Sequence, residues 1–214
     1  QQTGISDIST LSFFTALRTL DFGNSRPWPP LHIRDLSFCT ALDSLNLRNT
    51  NVRDVSALSS STALRILDLG ETETRDISAL SFCAALRTLD LAQAPVEDIS
   101  ALSSCTALRN LNLEKTQVAD ISALSSCTAL HNLNAATHKL MDISALSFCT
   151  ALRSLVLAWT QVADISALSC CPALRTLYLT EAQVTDISAL AFCTVLHTLN
   201  LSGTNVADVS PLSS

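Results

Sequence analysis

The chain has 214 residues, of which 48% are hydrophobic and 15% are charged, and its net charge is −6. The apolar content excludes a disordered chain, and no run of apolar residues is long enough to span a membrane. Because the charge balance is acidic, a broad basic surface is also excluded. We therefore expect neither nucleic acid nor a membrane as a partner.

Leucines open nine repeats along the chain. They are Leu17, Leu42, Leu64, Leu86, Leu108, Leu130, Leu152, Leu174 and Leu196. The first repeat is 25 residues long because three extra residues fall near 26–30, whereas the following repeats are 22 residues long. Part of another repeat precedes Leu17. We expect residues 1–214 to form a single repeat domain that belongs to a longer protein, since recognisable capping units are missing.

Within each unit, the apolar positions predict a short strand followed by a helical turn. In the unit from Leu86, the alternation of Leu89-Asp90-Leu91 indicates a strand. From Val96 to Cys105 the apolar residues lie three apart, which is typical of a 3₁₀ or single-turn helical segment. Burying the apolar side chains of one unit contributes roughly 10–20 kcal/mol, whereas ordering the unit costs on the order of 33 kcal/mol. Units must therefore stack as a solenoid of parallel strands.

The pattern Leu86-x-x-Leu89-x-Leu91-x-x-Ala94-x-Val96 resembles the leucine-rich repeat signature, and its length is similar to the short-repeat subclass. That subclass includes bacterial internalins and the leucine-rich regulatory subunit of protein phosphatase 1. The recurring motif Asp-Ile-Ser-Ala-Leu resembles the repeats of internalins in particular. Leucine-rich repeat proteins of protozoan parasites contain similar motifs. The resemblance implies an α/β solenoid, a curved right-handed coil. Its parallel β-sheet would line the concave face, and 3₁₀ or short helical turns the convex face.

Threonines occupy the column where the family carries an asparagine ladder. They are Thr50, Thr72, Thr116, Thr160 and Thr204, with Ala94, His138 and Ala182 as gaps. A threonine hydroxyl can still bond adjacent turns, whereas alanine cannot.

Aspartates recur every 22 residues without exception. They are Asp54, Asp76, Asp98, Asp120, Asp142, Asp164, Asp186 and Asp208. A ladder of carboxylates could bind cations. However, each aspartate directly precedes a helical turn, where its oxygen can accept backbone N–H bonds. We therefore interpret the column as structural, and expect no metal.

Cysteines occupy a column where the short-repeat subclass usually has leucine. They are Cys39, Cys83, Cys105, Cys127, Cys149, Cys171 and Cys193, with Phe14 and Ser61 as interruptions and Cys170 as an extra thiol. Adjacent-turn disulfides are one interpretation, but no Cys-x-x-Cys pair supports a zinc site. We expect reduced, buried thiols. Reduced thiols favour a reducing compartment, so we predict a cytoplasmic protein, with the cell surface as the alternative.

An arginine row borders the predicted strands. It consists of Arg18, Arg65, Arg87, Arg109, Arg153 and Arg175, with Asp43, His131 and His197 as exceptions. This row could attract an acidic partner. We interpret it instead as a solvated edge that is partly neutralised by Asp21, Asp68 and Asp90.

Catalytic chemistry finds little support. His131 and His197 border the strands, whereas the cysteine column belongs to the opposite side of each coil, so no Cys–His pair is expected within reach. Phosphate-binding loops and paired carboxylates are also missing. We therefore expect no enzyme, no cofactor and no small-molecule substrate.

Departures from small or polar side chains at outward strand positions cluster toward the C-terminal half. We predict a partner-binding site at Val156, Trp159, Tyr178 and Glu181, together with Glu114 and Lys115 two repeats earlier. Exposed aromatics on adjacent coils are typical anchors of protein interfaces. The alternative is that Trp159 folds over the edge of the array and packs locally. Trp28, in the proline-rich insertion, could form a second contact or shield the nearby core.

The leading hypothesis is a non-catalytic protein-interaction module that binds a protein partner on its concave face, as an intracellular adaptor or regulator. One alternative is an extracellular adhesin or recognition protein of the internalin type. Another is a structural array attached to a catalytic domain outside this chain.

Overall fold

A computed structural model describes residues 8, 11, 13–25 and 31–213. The insertion near 26–30, with Trp28, and most of the partial repeat ahead of Leu17 lie outside the described residues. Both predictions for Trp28 therefore stay predictions.

Nine short parallel strands form one sheet in the described part of the chain, and each strand pairs with the next one in sequence. They are β1 (Thr19–Asp21), β2 (Ser44–Asn46), β3 (Ile66–Asp68), β4 (Thr88–Asp90), β5 (Asn110–Asn112), β6 (Asn132–Asn134), β7 (Ser154–Val156), β8 (Thr176–Tyr178) and β9 (Thr198–Asn200). The register aligns the central leucines of neighbouring strands, as in Leu67 and Leu89. Each repeat contributes one strand, and we number the coils accordingly: coil 1 begins at Leu17 and contains β1, and coil 9 begins at Leu196.

Short 3₁₀ segments form the opposite side of the coils. They are Arg34–Phe38, Ser56–Ser60, Ser78–Phe82, Ser100–Ser104, Ser122–Ser126, Ser144–Phe148, Ser166–Cys170, Ser188–Phe192 and Ser210–Ser213. Consecutive segments pack on one another, as consecutive strands do. The predicted leucine-rich solenoid, with its sheet on one face and 3₁₀ turns on the other, is confirmed.

The core is a single stack of apolar columns. In coil 4, the side chains that the sequence assigns to the core are at most 1% exposed. They are Leu86, Leu89, Leu91, Val96, Ile99, Leu102 and Cys105. Equivalent residues of the adjoining coils cover them on both sides, so each coil completes the core of its neighbours.

A left-handed turn follows the strand in most coils. Its positive-φ residue, which we call the rim residue, lies three places after the strand. The rim residues are Asn24, Asn49, Glu71, Gln93, Lys115, Trp159, Glu181 and Gly203. Coil 6 differs because β-branched Thr137 stands at this position and strongly disfavours positive φ. The turn of coil 6 instead falls on His138 and Lys139.

Candidate binding surface on the strand face

The first and third residues of each strand point outward, and together they form a surface that we call the strand face. Its middle part is polar and satisfies its own hydrogen bonds. Asn110 Nδ2 donates to Thr88 Oγ1 at 3.1 Å, and Asn132 Nδ2 donates to Asn110 Oδ1 at 2.6 Å. A partner gains little from side chains that already bond each other, so this part of the surface offers few free groups.

Aspartate or asparagine at the third strand position closes the turn that follows. In seven of the nine described coils, its side-chain oxygen accepts a hydrogen bond from the backbone N–H two residues later, at 2.7–3.2 Å. Coils 7 and 8 carry Val156 and Tyr178 at this position, and neither side chain can accept the bond. Among the described residues, the N–H groups of Ala158 and Thr180 have no acceptor.

Val156, Tyr178 and Trp159 lie on adjacent coils. Val156 and Tyr178 are direct partners in the register of β7 and β8. Tyr178 is 37% exposed, and Trp159, at the rim, is 51% exposed with φ of +58°. The Trp159 N–H donates to the Thr180 carbonyl at 2.8 Å, and His138 Nδ1 lies 3.2 Å from the Trp159 carbonyl oxygen. Half of the Trp159 surface therefore stays open to a partner.

The remaining predicted residues divide between two places. Glu181 is the rim residue of coil 8, and its carboxylate lies so close to Gly203 that a Cβ there would approach it to 2.6 Å. Glu114 and Lys115 lie in coil 5, where their charged groups pair at 3.3 Å. Asn134 Nδ2 also donates to Glu114 at 3.3 Å. The fold thus brings Val156, Trp159, Tyr178 and Glu181 together on coils 7 and 8, and holds Glu114 and Lys115 two coils away.

Sequence reasoning missed an ion cluster on the N-terminal half of the strand face. Arg48 reaches over the following coils, and its guanidinium lies 3.8 Å from Asp68, 2.7 Å from Glu71 and 3.3 Å from Asp90. Burial is the main cause that raises the pKa of Asp68. The sequence offered one sign of this cluster: Arg48 is a long side chain at a position that holds glycine in the next coil, at Gly70. The charged groups of this cluster therefore pair with each other.

The aspartate column is structural, as predicted. Each carboxylate accepts a bond from the backbone N–H of the serine two residues later, at 2.7–2.8 Å. The bonds from the Ser56 N–H and hydroxyl lower the pKa of Asp54, and the equivalent serines do the same for Asp76, Asp164 and Asp208. No group of three His, Cys, Asp or Glu side chains within the described residues is placed to hold a metal ion.

The threonine column does not use its hydroxyls to bond adjacent coils. Its hydroxyls donate within their own coil, to the carbonyl of the leucine three residues earlier, at 2.6–2.7 Å. The short side chain reaches the carbonyl of its own turn first. At the His138 gap, Thr137 is buried instead, and its hydroxyl donates to the Val118 carbonyl of the preceding coil at 2.6 Å.

All eight cysteines are free, and all except Cys170 are buried. From Cys105 onward, each buried thiol donates toward two carbonyls of the preceding coil, that of a leucine at 3.4–3.5 Å and that of the previous cysteine at 3.6–3.8 Å. Burial raises the pKa of Cys83, Cys127 and Cys149 to about 11 and of Cys105 and Cys171 to about 12. These thiols therefore stay protonated at neutral pH.

Neutralisation of the arginine row by Asp68 and Asp90 was a wrong expectation. Both carboxylates face Arg48, whereas Arg65 pairs with Asp43 of the preceding coil at 3.4 Å. Residues three apart in an extended segment point to opposite sides of the pleat, so Arg65 and Asp68 diverge.

Exposed phenylalanines at the ends of the 3₁₀ segments were not predicted as functional residues. Phe38, Phe82, Phe148 and Phe192 are each more than half exposed. The signal was the recurring Ser-Phe-Cys or Ala-Phe-Cys phrase, whose cysteine is buried while the phenylalanine faces outward. No helix among the described residues is long and apolar enough to cross a membrane.

No protein-family model matches the chain, and a search of curated proteins finds no match. Among solved structures, an internalin (InlF) from Listeria monocytogenes is 30% identical over 99% of this chain and 68% of its own, with a TM-score of 0.80. Internalin C2 from the same organism is 25% identical over 92% of this chain and 76% of its own, with a TM-score of 0.68. A plant peptide hormone receptor, RGFR1, in complex with RGF2 is 16% identical over 92% of this chain and 34% of its own, with a TM-score of 0.79.

Proposed function

Since the chain belongs to the leucine-rich repeat proteins and is similar to internalins, we propose that it is a non-catalytic module that binds a protein partner on its strand face. The observation that carries this proposal is the pair of exposed aromatic residues on coils 7 and 8, Trp159 and Tyr178. Elsewhere the outward strand residues are polar apart from Ile66, whereas here partly buried Val156 and exposed Tyr178 and Trp159 place apolar side chains on adjacent coils. Trp and Tyr dominate binding energy at protein interfaces.

The backbone of Trp159 adds support. A bulky residue at positive φ is an outlier, and the left-handed conformation costs about 1–2 kcal/mol for an L-residue. Asparagine and glycine at other rim positions tolerate this turn better, whereas Glu71, Gln93, Lys115 and Glu181 adopt it as Trp159 does, and Trp159 is the bulkiest residue at the rim. Backbone strain of this kind is often found at ligand-binding sites.

Neighbouring structures are consistent with a protein or peptide partner. The plant receptor with the same fold is described in complex with RGF2, and the internalins are related more closely in sequence. At 16% identity the receptor supports only the architecture, so the identity of the partner is argued from the chemistry of coils 7 and 8.

A catalytic role has no chemical basis in the described residues. The buried thiols have pKa values of about 11 to 12 where these are strongly shifted, so the nucleophilic thiolate is scarce at neutral pH. Burial lowers the pKa of His131, with Arg153 and Arg109 adding to the effect, but this imidazole lies on the strand side of the coil. Within the described residues, His131 and the buried thiols therefore do not form a nucleophile–base pair.

We propose an intracellular setting, as an adaptor or regulator. Seven buried thiols without a disulfide support it, because disulfides persist in oxidising compartments. Similarity to internalins supports the second candidate, a recognition protein at the cell surface. Quantifying free thiols in protein isolated from its native source separates the two: oxidised thiols would overturn the intracellular setting.

Partner capture tests the site. The double variant Trp159→Ala/Tyr178→Ala should lose partners that the unmodified chain retains, while its melting temperature stays nearly unchanged, because both residues are substantially exposed. Phe148→Ala/Phe192→Ala is the matched control, since it removes two exposed aromatics from the opposite side of the coils. If the control loses the partners and the Trp159/Tyr178 variant keeps them, the strand face is not the binding surface.

A further inference from the structure

We propose that the backbone amides of Ala158 and Thr180 receive a side-chain oxygen of the partner, from an aspartate or asparagine in an extended peptide segment. This inference rests on the proposed function, whose site it specifies. It assigns a chemical requirement to a surface that the exposed aromatics alone would leave open to any apolar ligand.

Neighbouring coils show which group these amides accept. In coil 4 the Ala92 N–H bonds Asp90 Oδ1 at 2.8 Å, and in coil 6 the Ala136 N–H bonds Asn134 Oδ1 at 3.2 Å. Coils with aspartate and coils with asparagine use the same geometry. A carboxylate or carboxamide oxygen is thus the natural ligand of this backbone position.

The two open amides are oriented like the closed ones. In coil 7 the flanking Leu157 and Trp159 N–H groups both bond the next coil at 2.8 Å. In coil 4 the flanking Leu91 and Gln93 N–H groups bond the next coil at 2.8 and 2.7 Å. Because the flanking bonds fix the peptide planes in the same way, the Ala158 N–H points onto the strand face, where coil 4 places its aspartate. The same argument holds for Thr180, whose flanking residues bond Asn200 and Ser202 at 2.9 and 2.8 Å.

Leaving the amides open is costly for the unbound protein. Ala158 is buried, with 5% of its surface exposed, and Thr180 is partly buried. A backbone donor that lacks a partner and is poorly reached by water destabilises the unbound protein, and a ligand that supplies the acceptor relieves this. Adjacent strands are about 4.8 Å apart, which lets the two oxygens of one carboxylate reach both amides.

Aromatic side chains flank this polar pair. Tyr178 replaces one of the missing acceptors, and Trp159 follows Ala158 directly in the chain. A peptide that places its aspartate or asparagine on the amides therefore sets the next apolar side chain against exposed aromatic surface. Specificity would come from the amides, since a buried donor penalises ligands that leave it unpaired.

Amide resonances test the polar contact without knowledge of the partner. We would titrate the ¹⁵N-labelled chain with N-acetyl-aspartate methylamide, with the asparagine analogue, and with the leucine analogue as the apolar probe. Only the first two should move the Ala158 and Thr180 resonances downfield, while the closed amides of Ala92 and Ala136 stay in place. Comparable shifts with all three probes, or none with the polar probes up to their solubility, would overturn the inference. Shifts with the aspartate probe alone would assign the site to a carboxylate.

In a Val156→Asn variant, the new side-chain oxygen should accept the hydrogen bond of the Ala158 N–H, as asparagine does in other coils, while Trp159 and Tyr178 are kept. We expect its Ala158 resonance to respond no longer to the polar probes, and its affinity for captured partners to fall about tenfold, the value of one lost hydrogen bond. Val156→Ile is the matched control, because it keeps the position apolar. If Val156→Asn captures partners like the unmodified chain while the Trp159/Tyr178 variant does not, the inference fails and the proposed function stands.

Discussion

The thiol of Cys83 lies 3.7 Å from the carbonyl oxygen of Ser61, the residue that takes its place one coil earlier. Cys83 is satisfied by carbonyls of coil 2, at Ser61 and Leu58. The Ser61 hydroxyl, in contrast, is buried without a partner among the described residues. Within the described coils, the cysteine column therefore contains one buried polar atom without a hydrogen bond, the hydroxyl of Ser61.

Replacing Ser61 with cysteine should stabilise the fold. We expect Ser61→Cys to raise the free energy of unfolding by about 1–2 kcal/mol, because it removes a buried unpaired hydroxyl and restores the apolar volume of the column. Urea unfolding measures the change. Cys127→Ser is the reverse control and should destabilise by a similar amount; a stabilising Cys127→Ser would show that the column tolerates hydroxyls.

Thiol reagents should distinguish one cysteine from the rest. Cys170 is exposed and the other seven thiols are buried, so the native protein should react once per chain and the unfolded protein eight times. Titration with a chromogenic thiol reagent before and after denaturation gives both numbers. The Cys170→Ser variant should show no fast reaction, and a fast reaction that persists in it would place a second thiol at the surface.

Alkaline pH should destabilise the fold through the cysteine column. Below pH 9.0, the ordinary pKa of the thiol, both the folded and the unfolded chain keep their protons. Between this value and about 11 or 12, the unfolded chain loses protons that the folded chain retains. The free energy of unfolding should therefore fall by about 1.4 kcal/mol per pH unit for each thiol.

Urea unfolding across this pH window measures the slope. The Cys105→Ala variant should lose one thiol's contribution to it, although its absolute stability is lower because of the cavity. An unchanged slope would show that the alkaline sensitivity arises from other groups.

Relief of backbone strain should separate stability from binding at Trp159. Asparagine tolerates positive φ far better than tryptophan, so Trp159→Asn should raise the free energy of unfolding by up to about 1 kcal/mol. Partner capture should weaken in the same variant. Gln93→Asn makes the same change in coil 4 and should leave capture intact. A Trp159→Asn variant that is markedly less stable would mean that the indole packs the core of the coil.

Much of the architecture is readable from the sequence because each column has one dominant interaction. Leu86 and its equivalents are apolar at fixed spacing, and Asp98 and its equivalents precede a turn that needs an acceptor. These interactions are local or repeat identically, so one unit predicts the rest. The displaced threonine of coil 6 also follows a local rule, since Thr137 cannot occupy the left-handed rim position cheaply.

The proposed binding surface was only partly predictable. Val156 and Tyr178 stood out as departures, but the sequence did not show that they leave two amides unpaired. That conclusion required the hydrogen bonds of the closed coils. The hydroxyl of Ser61 and the reach of Arg48 over two coils likewise depend on which atoms the neighbouring coil presents, a relation that no single repeat contains.

The way each coil is fastened has a consequence for how the molecule can change length. The aspartate of a coil bonds only its own turn, and each buried thiol reaches only the coil before it. Duplicating residues 86–107 in tandem would therefore preserve these aspartate and thiol contacts in the added coil, and would add one strand width, about 4.8 Å, to the rod. A whole repeat can therefore be inserted without changing the register of the columns, whereas an insertion of any other length would shift the leucines out of their stack.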